Sequence, residues 1–126
     1  MRIQEASIAS GLSCHTLRYY ERSGLIYPIP RDASGHRYYR KNDIRWIQFV
    51  QCLKSTGMPL RDIQSYVDQV GDAENKADLL LDILIRHKSR LQNKLAETEE
   101  FLAHIDWKIN HYQDILTEHL QSDKVQ

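Results

Sequence analysis

The sequence predicts a mainly α-helical protein in which a small N-terminal domain is followed by one long helix. Up to residue 70, apolar residues recur at helical spacing within segments that glycines and prolines separate. Residues 76–119, in contrast, contain neither glycine nor proline. A helix of that length is too long to fold within so small a domain. We therefore expect a domain at residues 1–70, a linker at 71–75, a long helix at 76–120 and a tail at 121–126.

The first two predicted helices are short and are joined by a tight turn. Residues 3–12 form an amphipathic segment in which Gly11 tolerates the left-handed conformation of such a turn. Ser13 is a suitable N-cap, because its hydroxyl can accept a hydrogen bond from an amide of the next turn. Gly24 stands where a C′ residue is expected, so the second helix spans about three turns. This pattern is typical of a helix-turn-helix.

The second predicted helix has two different faces. Cys14, Leu17 and Glu21 fall on one side. The opposite side carries His15, Arg18, Tyr19 and Arg22. Arginine can bind phosphate or guanine through two hydrogen bonds, and tyrosine can donate to phosphate, so this face suits DNA. The alternative is an ordinary solvated face whose tyrosines fold back onto the core.

The segment after this helix predicts a basic β-hairpin, or wing. Residues 31–35 form a turn-prone cluster, and residues 36–40 are β-prone. Five of the seven tyrosines fall between residues 13 and 39, and arginines alternate with them: Tyr19, Tyr20, Tyr27, Tyr38 and Tyr39, with Arg18, Arg22, Arg31, Arg37 and Arg40 nearby. Hydrogen-bonding aromatic residues among arginines are typical of surfaces that position a nucleic-acid backbone.

Two further helices complete the predicted domain. Asn42 or Asp43 can cap a third helix that ends near Thr56, before Gly57. Its apolar residues are expected to pack against the first two helices: Trp46, Phe49, Val50 and Leu53. Pro59 suits the first turn of a fourth helix that ends near Val70. One face of that helix carries Leu60, Ile63 and Val67.

The long helix carries a heptad pattern that predicts a homodimeric coiled coil. One core position is occupied by Leu81, Lys88, Leu95, Leu102, Ile109 and Leu116, and the other by Leu84, Leu91, Thr98, Ile105 and Tyr112. So long an apolar stripe needs a partner helix. Folding back onto the N-terminal domain is the alternative, but it would leave most of the stripe uncovered. The heptad does not give the orientation of the two helices.

Charge and cysteine content indicate where the protein acts. Residues 1–70 contain ten Lys/Arg and six Asp/Glu, giving +4, whereas residues 71–126 contain seven and eleven, giving −4. Only the basic half is therefore expected to face a polyanion. The two cysteines are too few for a disulfide scaffold. With no visible targeting or membrane-spanning segment, the sequence predicts a cytoplasmic protein.

One family matches these features. TLRYYERSGLIYP at residues 16–28 and GHRYY at residues 35–39 resemble the signature of MerR-family transcriptional regulators. The resemblance continues through residues 41–63. It implies a winged helix-turn-helix DNA-binding domain followed by a long dimerisation helix in an antiparallel coiled coil. It also implies DNA contacts by Thr16, Arg18, Tyr19, Arg37 and Tyr38, with Tyr20 partly packed. Arg22 is added to the predicted contacts because it lies on the same outward face of the helix. Glu21 is expected to point inward and to hold an arginine.

The resemblance also implies a mechanism. A dimer presents two recognition helices, so the operator should be a near-palindrome in double-stranded promoter DNA. MerR relatives bind promoters with an over-long spacer and activate them by bending and untwisting the DNA, which acts on RNA polymerase indirectly. Relatives that sense soft metals carry thiolates on and beyond the dimer helix. This sequence has no cysteine after Cys52, so we expect neither such a metal site nor a cofactor.

The effector is the open question at this stage. Physical reasoning favours a buried, inert Cys52, because a helix C-terminus disfavours a thiolate. The resemblance instead links a cysteine before TGMP to small regulators that respond to aldehydes, electrophiles or nitrosative stress through one thiol. A non-thiol ligand, or a metal at His104, His111, Asp114 and His119, is the alternative. An enzyme is disfavoured because Cys52 lacks a base, and a coiled-coil scaffold leaves the wing unexplained.

Overall fold

The computed structural model describes the backbone of residues 1–125 and the side chains of residues 1–122. Within that range the chain forms five helices: α1 Ile3–Ser10, α2 Cys14–Arg22, α3 Lys41–Ser55, α4 Leu60–Val70 and α5 Ala73–Val125. The mainly α-helical fold class is therefore confirmed. Helix α5 begins three residues earlier than predicted and continues through most of the predicted tail, of which Gln126 lies outside the described residues.

The predicted ends of α1 and α2 are confirmed at atomic detail. Gly11 has a φ of 77° and ends α1. The hydroxyl of Ser13 accepts the Thr16 N–H at 3.1 Å and caps α2. Gly24 has a φ of 76°, and the Leu25 N–H donates to the Tyr20 carbonyl at 2.9 Å. This bond closes α2 and turns the chain toward the wing.

The predicted two-stranded wing contains less β-structure than expected. Arg31 and Arg37 form an isolated antiparallel bridge, and residues 1–125 contain no β-strand. Pro30 accepts the Tyr38 N–H at 2.7 Å, but proline has no N–H with which to extend the ladder. The tip of the wing is instead held by the Asp32 carboxylate, which accepts backbone N–H bonds from residues 34 and 36.

The start of α3 differs from the prediction. Arg40 is its N-cap residue, and Asp43 lies in the first turn rather than at the cap. The Asp43 carboxylate accepts the Arg40 N–H at 2.8 Å, so it satisfies a backbone donor from inside the helix. The prediction identified the correct carboxylate but placed the helix start too late.

Phe49 of α3 was predicted to be buried and is not. It is 36% exposed, and Leu60, at the start of α4, is 44% exposed. The inner face of α3 is formed mainly by Ile44, Ile47, Val50 and Leu53. Phe49 lies at the rim, where its ring centroid is 6.0 Å from that of Tyr66. Spacing alone did not distinguish this aromatic rim from the core, because both recur at helical intervals.

The chain divides into two compact units, residues 1–87 and 88–126. In the first unit, Ile83 and Leu84 of α5 pack against the core, and Leu80 and His87 are buried. Leu84, which the heptad pattern placed at the dimer interface, thus has core contacts within its own chain. The described part of the second unit is helical, and most of its large apolar side chains are exposed, whereas Leu91 is half-buried. Among the described residues, none of the helices combines the length and apolar character that crossing a membrane requires.

Candidate nucleic-acid interface

Helix α2 presents its basic residues to solvent. Arg18 and Arg22 are exposed, and Tyr19 is 37% exposed. Thr16 is half-buried, and its hydroxyl lies 2.8 Å from that of Ser13. Leu17, in contrast, is completely buried and fixes the orientation of the helix on the core.

Tyr20 differs from the other predicted DNA contacts. It is only 3% exposed and belongs to the core cluster. Burial raises the pKa of its hydroxyl. The structure therefore assigns Tyr20 to packing, and the part of the prediction that gave it a DNA contact was wrong. Adjacent helix positions lie 100° apart, so Tyr19 and Tyr20 take different faces.

A lysine from α3 extends the basic surface. The Lys54 ammonium lies 5.5 Å from the ring centroid of Tyr19 and 5.3 Å from that of Tyr20. At these distances a cation is attracted by the aromatic face. Lys54 therefore helps to hold Tyr19 on the outer side of α2. The sequence pattern gave no signal for this contact, because the two residues are 35 positions apart.

The returning arm of the wing alternates between solvent and core. Tyr38 is exposed, whereas Tyr39 is completely buried. Arg37 is half-buried, and its Nε donates to Glu21 Oε1 at 2.7 Å. The other oxygen of Glu21 accepts the Ile29 N–H at 2.5 Å. One carboxylate therefore joins α2 to both arms of the wing, in agreement with the inward orientation expected for Glu21.

A second network supports the wing where it enters α3. The Asp43 carboxylate is completely buried and accepts hydrogen bonds from the Tyr27 hydroxyl and from the Arg40 guanidinium. Burial raises the pKa of Asp43, but these bonds outweigh it and hold the pKa below the ordinary 3.8. Burial and the bond to Asp43 raise the pKa of Tyr27 to about 12. At neutral pH the network therefore contains an ionised Asp43 and a protonated Tyr27.

A small cavity between α1, α2 and the wing is lined by basic side chains. Its volume is about 140 Å³, and the lining includes Arg2, Arg18, Arg31 and Arg37. Arg2 and Arg31 were absent from the predicted DNA contacts. The only sequence signal for Arg2 was its charge, since nothing in the local pattern indicates that residue 2 lies beside residue 37.

The two cysteines have different environments. Cys52 is exposed, which contradicts the buried alternative, whereas Cys14 is half-buried and its thiol donates to the Ile3 carbonyl at 3.8 Å. The Thr56 hydroxyl donates to the Cys52 carbonyl at 2.7 Å and lies 2.8 Å from His87 Nε2 on α5. The helical turn that carries Cys52 is thus connected to α5 within the first unit.

Within the described residues of the single chain, no group of three His, Cys, Asp or Glu residues could hold a metal ion. The ring of His111 instead stacks on Trp107, with centroids 5.6 Å apart and planes within 1° of parallel.

Comparison with known proteins identifies the family. The model of the MerR HTH family regulatory proteins matches residues 1–70, and a model described as MerR, DNA binding, matches residues 44–108. The chain belongs to the MerR family. It is therefore a DNA-binding transcriptional regulator and not an enzyme, which confirms the resemblance seen in the sequence.

Individual MerR proteins resemble this chain over most of its length. YyaN of Bacillus subtilis (strain 168), an uncharacterised HTH-type transcriptional regulator, is 33% identical over 95% of this chain and 96% of its own. A crystal structure from Listeria monocytogenes, ascribed to the MerR family, has a TM-score of 0.90 at 33% identity and covers 99% of this chain and 97% of that one. HiNmlR, a MerR family regulator lacking the sensor domain and bound to promoter DNA, has a TM-score of 0.82 at 28% identity, with 90% of each chain covered.

Proposed function

We propose that this MerR regulator binds a near-palindromic operator in double-stranded promoter DNA as a homodimer and regulates RNA polymerase indirectly by distorting the promoter. The observation that carries the proposal is the shared outward surface of α2 and the wing, with Arg18, Tyr19, Arg22, Arg37 and Tyr38 on it. Their side chains provide the charge and hydrogen-bond donors that phosphate contacts need. The complex of HiNmlR with promoter DNA supports DNA binding by a chain of this fold.

The proposed dimer is supported by the exposed apolar side chains of α5. Leu95, Leu102, Ile105, Ile109 and Leu116 are each about half exposed or more in the single chain. Burying apolar area contributes about 25 cal/mol per Å², so leaving this stripe in water is unfavourable. The same pairing gives the two recognition helices that a near-palindrome requires.

The DNA-contact residues are tested by binding under varied salt. We expect Arg18→Ala and Arg37→Ala each to weaken binding to an operator selected from random duplexes by at least about tenfold, since a charge-assisted hydrogen bond contributes about 1.5–3 kcal/mol. The slope of log K against log salt should fall by about 1 for each lost phosphate contact. Arg61→Ala, on the exposed face of α4, is the matched control. Unchanged affinity and slope in the first two variants would exclude the assigned site.

We also propose that the regulator responds to aldehydes or other electrophiles through the thiol of Cys52. The support for this response is the exposure of Cys52, together with the hydrogen bonds from its carbonyl through Thr56 to His87 of α5. Modification of the thiol by an aldehyde or another electrophile would add bulk to the turn that meets α5. A ligand bound elsewhere on the dimer helix is the alternative, and a Cys52 variant distinguishes the two.

A further inference from the structure

Four arginines line the small cavity beside the recognition helix. Arg2 comes from the start of α1, Arg18 from α2, and Arg31 and Arg37 from the two arms of the wing. Residues that are up to 35 positions apart in sequence thus surround a volume of about 140 Å³. Convergence of like charges is unfavourable in the free protein and becomes favourable when an anion lies between them.

The backbone holds Arg2 in place beside the wing. The Tyr39 N–H donates to the Met1 carbonyl at 2.7 Å, and the Met1 amino group donates to the Tyr39 carbonyl, also at 2.7 Å. Two reciprocal bonds of this kind align residue 1 with residue 39, as in a short antiparallel pair. Tyr39 itself is completely buried, so the pairing is anchored in the core.

The arginines of the wing are also oriented before any ligand binds. Arg31 and Arg37 face each other across the isolated bridge. One terminal nitrogen of Arg31 donates to the Gly35 carbonyl at 3.0 Å. Arg37 uses Nε for Glu21, and among the residues whose side chains are described its two terminal nitrogens have no ion-pair partner within 4.0 Å. Preorganised side chains lose less entropy on binding than freely rotating ones.

The charge that surrounds the cavity selects an anion. Among the described residues, those that line it include four arginines and His36 but no carboxylate. The nearest acids are already engaged, since Glu21 binds Arg37 and Ile29, and Asp32 accepts backbone N–H bonds at the tip of the wing. Arginine is the preferred side chain for bidentate binding of phosphate oxygens.

We infer that this cavity binds one phosphodiester group of the DNA backbone, and that Arg2 and Arg31 contact that phosphate together with Arg18 and Arg37. The inference rests on the proposed function. It adds Arg2 and Arg31 to the proposed DNA contacts and assigns all four arginines to one phosphate. The N-terminal segment, the recognition helix and the wing then hold the same phosphate, which fixes the angle between the wing and α2 on the DNA. A single fixed phosphate in each half-site provides the anchor against which the centre of an operator can be deformed.

The experiment uses operator duplexes in which one phosphate at a time is replaced by a neutral methylphosphonate. The operator is first selected from random duplexes with the wild-type protein. We expect one phosphate in each half-site whose neutralisation weakens wild-type binding about tenfold, as for the loss of a charge-assisted contact. Arg2→Gln and Arg31→Gln should weaken binding to the unmodified duplex by a similar factor. Both should then be insensitive to neutralisation of that phosphate while remaining sensitive at all others.

Controls separate the possible failures. Arg61→Gln, an exposed arginine outside the cavity, should reproduce the wild-type profile. If Arg2→Gln and Arg31→Gln keep full sensitivity at every phosphate, or lose it at two different phosphates, the shared site is overturned. If inorganic phosphate inhibits wild-type binding more than chloride at equal ionic strength, and no methylphosphonate position depends on Arg2, the cavity binds a free anion instead. Failure of the wild type to select any duplex would overturn the proposed function itself, before any variant is compared.

Discussion

Glu21 and Arg37 form a 2.7 Å ion pair that joins the recognition helix to the returning arm of the wing. The side chains of both residues are mostly buried, with 14% of Glu21 and 25% of Arg37 exposed. The same carboxylate accepts the Ile29 N–H from the outgoing arm. Glu21 was expected to hold an arginine, and the ion pair confirms this, whereas the DNA contact of Arg37 stays a prediction.

The ion pair predicts that Glu21→Gln weakens operator binding, which is the opposite of what the change in net charge predicts. Removing a negative charge from a basic surface would by itself strengthen attraction to DNA. We expect instead that the variant binds its operator several-fold more weakly, because Arg37 and the wing lose their fixed position. The free energy of unfolding should fall by about 1–3 kcal/mol, the cost of a lost charged hydrogen bond. Urea denaturation and operator binding measure the two effects.

Glu5→Gln is the matched control, because Glu5 is exposed on α1 and the substitution removes the same charge. Its effect on stability should remain within about 0.5 kcal/mol. Tighter operator binding by Glu21→Gln than by Glu5→Gln would show that the ion pair is not needed to position Arg37.

The network of Tyr27, Arg40 and Asp43 predicts how stability depends on pH. Asp43 has a lower pKa in the folded state than its ordinary 3.8, so its contribution is complete above that value and is lost as the pH falls through the folded pKa. Tyr27 has a raised pKa of about 12, so its contribution is complete below the ordinary 10 and is lost as the pH rises through about 12. Stability should therefore decrease both below about pH 4 and above about pH 10.

Urea midpoints measured across this range test the assignment. Tyr27→Phe should reduce the alkaline loss, and Asp43→Asn should reduce the acid loss. Asp43→Asn should also lower the free energy of unfolding at pH 7 by about 1–3 kcal/mol, because it weakens a buried acceptor and its bonds to α3. A Tyr27→Phe variant that loses stability above pH 10 as steeply as the wild type would exclude Tyr27 as the source.

Local features of this chain were predictable from sequence, and features that depend on distant contacts were not. Ser13, Gly11 and Gly24 each act within a few residues, so their capping roles followed from residue type. The pairing of Met1 with Tyr39 joins residues 38 positions apart, and no local pattern encodes it. The position of Arg2 beside the wing depends on that pairing, which is why it was missed.

Burial was predicted less accurately than helix position for a related reason. Phe49 and Tyr20 are both aromatic residues at helical spacing, yet Phe49 lies at the rim and Tyr20 in the core. Burial depends on how the other elements pack against each ring, which is a tertiary property that spacing along one helix does not give. Cys52 is a further case, since physical reasoning favoured a buried thiol and the residue is exposed.

The heptad pattern of α5 predicts that a charged side chain at Leu95 disrupts the dimer. Leu95 is 62% exposed in the single chain and occupies a predicted core position of the dimer. Leu95→Asp should convert the protein to a monomer at concentrations where the wild type is dimeric, because an aspartate there would be buried without a partner. Sedimentation equilibrium measures the mass. Operator affinity should fall as well, since one chain engages only one half-site.

Asn93→Asp introduces the same charge two positions away, on the opposite side of the helix. We expect it to remain a dimer. If Leu95→Asp also remains a dimer, the heptad assignment of α5 is wrong and another face carries the interface.

The exposure of Cys52 predicts which thiol reacts first. Cys52 is open to solvent, whereas Cys14 is half-buried and hydrogen-bonded to the Ile3 carbonyl. Limiting iodoacetamide, followed by peptide mass mapping, should therefore label Cys52 ahead of Cys14. Faster labelling of Cys14 would show that electrostatics at the start of α2 outweighs exposure.

Transcription in vitro then tests whether that reaction regulates the promoter beside the protein's own gene. Wild type, Cys14→Ala and Cys52→Ala are each compared with and without a small aldehyde. If modification of Cys52 shifts the turn joined through Thr56 to His87, the wild type and Cys14→Ala should respond and Cys52→Ala should not. Operator binding by Cys52→Ala should stay at the wild-type level, because Cys52 lies outside the proposed DNA surface. An equal response from Cys52→Ala would exclude thiol sensing and direct the search for an effector site to α5.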